Sequence, residues 1–102
     1  MTTTARVAST TAASIAYTAS IAAGAVGNFV AIGDMKDGEE ITFEGSNGAA
    51  TIYEPLTYID GAGNSRPATI NRRNRTILIQ GPCDFRINKS ATASAVEVAQ
   101  YT

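Results

Sequence analysis

Carboxylates crowd one stretch of this sequence, "DMKDGEE" (residues 34–40), where Asp34, Asp37, Glu39 and Glu40 fall within seven positions. Oxygen ligands gathered in this way could hold a calcium ion. The stretch lacks the alternating ligand spacing of an EF-hand loop, however, and an ordinary acidic turn is the stronger reading. Two carboxylates could also act as the acid and base of a glycosidase. Nothing singles out one pair, and the chain has no tryptophan to stack a sugar. A second cluster, "RRNR" (72–75), brings together Arg72, Arg73 and Arg75, which could meet phosphates. An acidic block lies nearby and no aromatic residues are interleaved, so a hairpin tip is the better reading.

Other chemistry is limited by what the chain lacks. It has no histidine, the commonest general base and metal ligand. Its serines and threonines therefore have no partner for a hydrolytic triad. A Ser–Lys arrangement stays open, but no motif supports it. The single cysteine, Cys83, cannot form an internal disulfide, and zinc usually needs several Cys or His ligands. Asn74-Arg75-Thr76 and Asn88-Lys89-Ser90 match the glycosylation sequon, a match common by chance. No glycine-rich phosphate loop is present. The reading is of no catalytic residue, no metal and no cofactor.

Charge is unevenly distributed. From Asp34 to Asp60 there are seven acids and one lysine, net −6. From Arg66 to Lys89 there are six cations and one acid, net +5. Such blocks are usually solvated faces and turns. They could also be matching surfaces of neighbouring subunits, where complementary charge sets register and partner choice. On that reading Asp37, Glu39, Glu40, Arg72, Arg73 and Arg75 are candidate interface residues, and subunit contacts should weaken as salt screens them. The whole chain carries only −1, so no global field favours nucleic acid or a membrane.

The elements that must position these residues read as strands. The chain of 102 residues suits one domain with one core. "ASIA" occurs at 13–16 and again at 19–22. An even spacing of six places Ile15 and Ile21 on one face of a strand, but well apart in direction on a helix. Residues 11–22 are therefore predicted extended, with an Ala-rich helix as the alternative. The polar interruptions Ser14, Thr18 and Ser20 argue against a signal peptide. Residues 1–10 read as an N-terminal arm with little core of its own, expected to add to a neighbouring subunit's sheet edge, so Thr2, Thr3, Thr4 and Arg6 are further candidate interface residues.

After Gly24 and Gly27 come "NFVAI" (28–32) and "EITFEG" (40–45), the latter with Ile41 and Phe43 on one face. Asn47-Gly48 suggests a tight hairpin into 50–55. Shorter segments follow at 56–60 and 68–71, separated by a loop at 61–67. "RTILIQ" (75–80) places Ile77 and Ile79 inward. Gly81-Pro82 makes a corner into "CDFRIN" (83–88), and "SAVEVA" (94–99) turns Val96 and Val98 inward. Cys83 is expected to serve as a small buried hydrophobe. Eight or so short strands with turn signals between them predict an all-β fold. The expected form is a small antiparallel β-sandwich or barrel, with residues 11–102 as a single domain.

The order of these segments carries a resemblance. A thin Ala/Thr-rich strand ends in "IAAG", "GEEITFE" follows, and the chain closes with "TILIQGPCDFRINKSATASAVEVAQY". Gly81, Pro82, Phe85, Arg86, Lys89, Ala91, Thr92, Ala95, Val96 and Val98 follow the ending of a group of small all-β structural proteins of tailed bacteriophages. Glu97 departs from that pattern, where a glycine is frequent. The resemblance implies a non-enzymatic virion protein that decorates or cements a capsid surface. It also implies the major capsid protein or another shell protein as partner, sister subunits in a homo-oligomer, and a trimer as the common form. A glycan-binding or adhesin-like module of a head fibre or tail attachment is the alternative. Tyr53, Tyr58 and Tyr101 would be its main aromatics.

Overall fold

The computed structural model describes residues 3–46, 53–59 and 61–101, the side chains of residues 16–19 excepted. Thr2 and the Asn47-Gly48 turn lie outside the described residues. Among those described there is no helix, and every ladder is antiparallel. The strands are β1 (Thr3–Thr10), β2 (Ser14–Ile21), β3 (Val26–Ile32), β4 (Glu40–Ser46), β5 (Tyr53–Pro55) and β6 (Thr57–Ile59). They continue with β7 (Ser65–Pro67), β8 (Thr69–Asn71), β9 (Thr76–Gln80), β10 (Cys83–Lys89) and β11 (Val96–Tyr101). The first sheet runs β1-β11-β3-β9. The second runs β2-β10-β4-β5, with β8 also pairing to β4, and β6-β7 form a separate ribbon. No sheet closes on itself.

Alternation drives this arrangement. In β4, Ile41 and Phe43 are buried while Glu40 is exposed and Thr42 and Glu44 are half-buried. In β10, Phe85 and Ile87 are buried, and β11 buries Val96 and Val98. The two sheets meet through three phenylalanines. Phe29 of the first sheet stands 4.8 Å from Phe43 and 5.4 Å from Phe85 of the second, ring centre to ring centre. Each buried phenylalanine contributes about 1.5–3 kcal/mol by leaving water. Met35, 2% exposed, inserts from the acidic connection between β3 and β4 and fixes that connection to the core.

Bulges in two strands alter what the sequence pattern predicts. The β2–β10 ladder pairs Arg86 with Thr18 but Ile87 with Ala16, so position 17 is an extra residue. An extra residue reverses the faces of a strand. Ile21 is accordingly buried, while Ile15 stands opposite Asn88 and is 62% exposed, not on the shared face expected of the "ASIA" repeat. Residues 3–10, expected as an arm, pair with β11 as strand β1 and bury Val7. Here too the register slips, first at Arg6 and again between Val7 and Thr10. The predicted loop at 61–67 ends in strand β7. Cys83 is half-buried against the core, and burial, with Asp84 adding to it, pushes its thiol pKa up.

Two glycines are fixed by close approach. Gly33 has φ +127°, a region that side chains rarely enter, and a Cβ there would run into the Ala95 carbonyl oxygen. Gly81, joined to Pro82 by a cis peptide bond, lies against the Ala22 carbonyl in the same way.

Candidate functional site

The acidic connection after β3 and the arginine turn before β9 come together. Lys36, Asp37, Glu39, Glu40, Arg72 and Arg73 line one open depression of about 200 Å³. Five of the residues singled out in the sequence thus share a site. The site is smaller than the 300–1,000 Å³ usual for small-molecule pockets. Arg72 Nη1 lies 3.2 Å from Asp37 Oδ2, both side chains more than half exposed, so the pair is worth little in stability.

The carboxylates do not converge as a metal cage would require. Glu39 is committed to the backbone: Oε1 accepts from Lys36 N at 2.8 Å, and Oε2 from Ala93 N at 2.8 Å. These two bonds, the Lys36 one first, hold its pKa below the ordinary carboxylate value. Glu39 therefore ties the β3–β4 connection to the β10–β11 connection. Glu40 is fixed by its main chain, whose N–H donates to Ser90 Oγ and whose carbonyl accepts from Ser90 N, both at 3.0 Å. Among the described residues no group of three or more acids, cysteines or histidines could hold a metal ion.

The arginines diverge as well. Arg75 turns away and its Nη2 donates to the carbonyls of Ala31 and Gly33, bracing the end of β3. The turn itself is built by Asn71, whose Oδ1 accepts from Arg73 N and Asn74 N at 2.9 Å each. Thr3 and Thr4 lie exposed on β1, and Arg6 Nε donates to Gln100 Oε1 at 3.0 Å. Acidic and basic blocks thus meet inside one chain, through Arg72–Asp37 and through Arg86 Nε to Glu44 Oε1 at 2.8 Å. Part of the charge complementarity is therefore used within the molecule.

Two features were not singled out in the sequence as site or core residues. Lys89 counted there as one cation of a solvated block, yet it is 1% exposed. Its Nζ donates to Ala12 O, Ser90 O and Thr92 Oγ1 at 3.0–3.1 Å. Burial lowers its pKa, and Glu39 partly offsets that. The residue joins the β1–β2 and β10–β11 connections. The signal was in the sequence, because Lys89 continues the inward series Cys83, Phe85, Ile87.

The second feature is the outer face of the first sheet. Register places Val26, Asn28, Val30 and Ile32 of β3 there, beside Glu97, Ala99 and Tyr101 of β11 and Thr76, Leu78 and Gln80 of β9. Val26 is 50% and Ile32 49% exposed, and Ala99 is wholly covered by its neighbours. The sequence carried this signal in "NFVAI" and "TILIQ", which are apolar at both parities, as strands buried on both faces are.

Another depression, about 310 Å³, is lined by Tyr58, Arg66, Pro67, Thr69, Asn71 and Asn74. Comparison with known proteins gave no match to a family model, a curated protein or a solved structure.

Proposed function

We propose that this chain is a non-enzymatic structural protein of a bacteriophage virion, bound to the outside of the capsid as a decoration or cement protein. The observation that carries the reading is the apolar outer face of the first sheet, set against a polar outer face on the second. Exposed apolar patches of this extent mark contact with other proteins. The segment order described above supplies the virion context. The partners are the major capsid protein or another shell protein, together with sister copies.

Two sheets packed through Phe29, Phe43 and Phe85 support a β-sandwich as the finer fold. The N-terminal segment reaches the surface as the edge strand β1 and offers its free side to a neighbour. Small Ala, Ser and Thr side chains there allow close approach. Many weak contacts repeated over a symmetric shell add up through avidity.

The test is to locate the protein on purified particles by electron microscopy. Copies repeated with the symmetry of the shell are expected on its exterior; particles carrying none of the protein would overturn the reading. One observation favours a glycan-binding module as the second reading. The depression around Tyr58 combines an aromatic ring with Arg66, Asn71 and Asn74. Saccharide binding on a glycan array, lost in Tyr58→Ala, would establish that reading in place of the first.

A further inference from the structure

The apolar outer face of the first sheet has a self-complementary pattern. β3 runs through it with Val26 at one end and Ile32 at the other, both half exposed. Val30, Leu78 and Tyr101 lie between, with Asn28 as the polar position of β3 and Ala99 already covered by its neighbours. Among the paired residues of this face, Glu97 is the one formal charge, and it lies at the Ile32 end, where the two residues are paired.

We infer that the occupant of this face is a second copy of the same chain, stacked on it about a two-fold axis that lies in the interface and runs across the strands. This operation sets the two β3 strands antiparallel. Val26 of each copy meets the partner copy's Ile32, so apolar ends cover apolar ends. It also sends the two Glu97 carboxylates to opposite ends of the contact. Six strand positions at about 3.4 Å separate them by roughly 20 Å. That is beyond the ~10 Å screening length of ordinary buffer. A two-fold axis along the strands would leave them only two strand spacings apart, about 10 Å.

Area sets the strength. Four strands about 4.8 Å apart, with six or so residues at about 3.4 Å, give a face of roughly 400 Å² in plan. Two such faces, corrugated by their side chains, remove roughly 1,000 Å² from water, the lower end for specific interfaces. A contact of this size falls in the weak, transient class, suited to reinforcement by repetition. The resemblance implies a trimer; a face that meets itself closes at two copies.

The inference rests on the functional reading only in treating this face as a contact surface. It is tested on the isolated chain, so it can fail while the particle reading stands, and the reverse. Sedimentation equilibrium is run from low to high micromolar concentration, with circular dichroism to verify the fold of each variant. The native chain should pass from monomer to dimer, more readily as sulfate is added. Ile32→Asp should weaken the dimer at least about tenfold. Thr42→Asp, on the opposite sheet, should leave it unchanged. Val26→Lys alone should also weaken it, and the double variant Val26→Lys/Ile32→Asp should restore it, because each lysine then faces a partner aspartate. A chain monomeric at every concentration, a dimer indifferent to Ile32→Asp, or a double variant no better than the single ones would overturn the proposal.

Discussion

The two sheets share one core and differ on the sides turned away from it. On the second sheet, the outward positions of β4 and β10 are Glu40, Thr42, Glu44 and Ser46 against Asp84, Arg86 and Asn88. Arg86 there bonds Glu44 and also lies 4.3 Å over the Tyr53 ring. This face is mostly polar, with Arg86 and Glu44 paired across strands and Ile15 of β2, 62% exposed, as its apolar exception. The first sheet sets Val26, Val30, Ile32 and Leu78 in the corresponding places. Both sheets obey the same inward alternation, so folding requires only their inner faces. The apolar outer set adds no inter-sheet packing, and the proposed second copy would account for it.

Substitutions can break this comparison or sharpen it. The largest effect is expected from Phe43→Ala, which removes the ring packed between Phe29 and Phe85. A loss of about 3–5 kcal/mol is expected in urea unfolding. Both outer faces should fail together; one cooperative transition, shifted for every probe, is the signature.

Next comes Lys89→Met. It leaves the carbonyls of Ala12 and Ser90 without their donor, at a cost of about 2 kcal/mol. The native lysine should also show a pH signature. Its folded pKa lies below the ordinary value of 10.5, so the unfolded chain binds the proton more strongly. Stability attributable to this group therefore rises as pH climbs from the folded pKa towards the ordinary one, and the penalty is fully present below that window. Denaturation curves of native chain and variant across alkaline pH should diverge in that sense; parallel curves would argue against a strained ammonium.

On the polar face, Glu44→Gln removes an ion pair whose carboxylate partner is only 14% exposed. A loss of about 1 kcal/mol is expected at low salt, shrinking as salt is raised. On the apolar face, Ile32→Thr should change monomer stability by no more than about 0.5 kcal/mol, with no salt dependence. A larger loss would mean that Ile32 supports its own sheet and is not held in reserve for a partner.

Most of the strands were legible from alternation, because Ile41/Phe43, Ile77/Ile79, Phe85/Ile87 and Val96/Val98 all point where a period of two sends them. The failures share a cause. A bulge does not announce itself in an Ala/Ser/Thr-rich strand, where either face can pass for the inner one, so Ile15 was assigned to the wrong side. β1 looked like an arm because only Val7 among its residues is buried; its place comes from main-chain pairing, which composition does not reveal. Of the candidate residues, Asp37, Glu39, Glu40, Arg72 and Arg73 do converge, whereas Arg75 braces β3 and Arg6 meets Gln100. Net charge counts could locate that cluster but not foresee that Arg72 would pair with Asp37 while Glu39 takes backbone amides.

The bulges and short borders have a further consequence for how copies accumulate. β1 slips register twice, β2 once, β9 has five residues, and the far border of the second sheet is split between the three-residue β5 and β8. Among the described residues, a straight, in-register template for endless strand addition is therefore missing. If copies crowd on a shell as proposed, these borders would oppose growth into fibres and leave their number to the lattice they join.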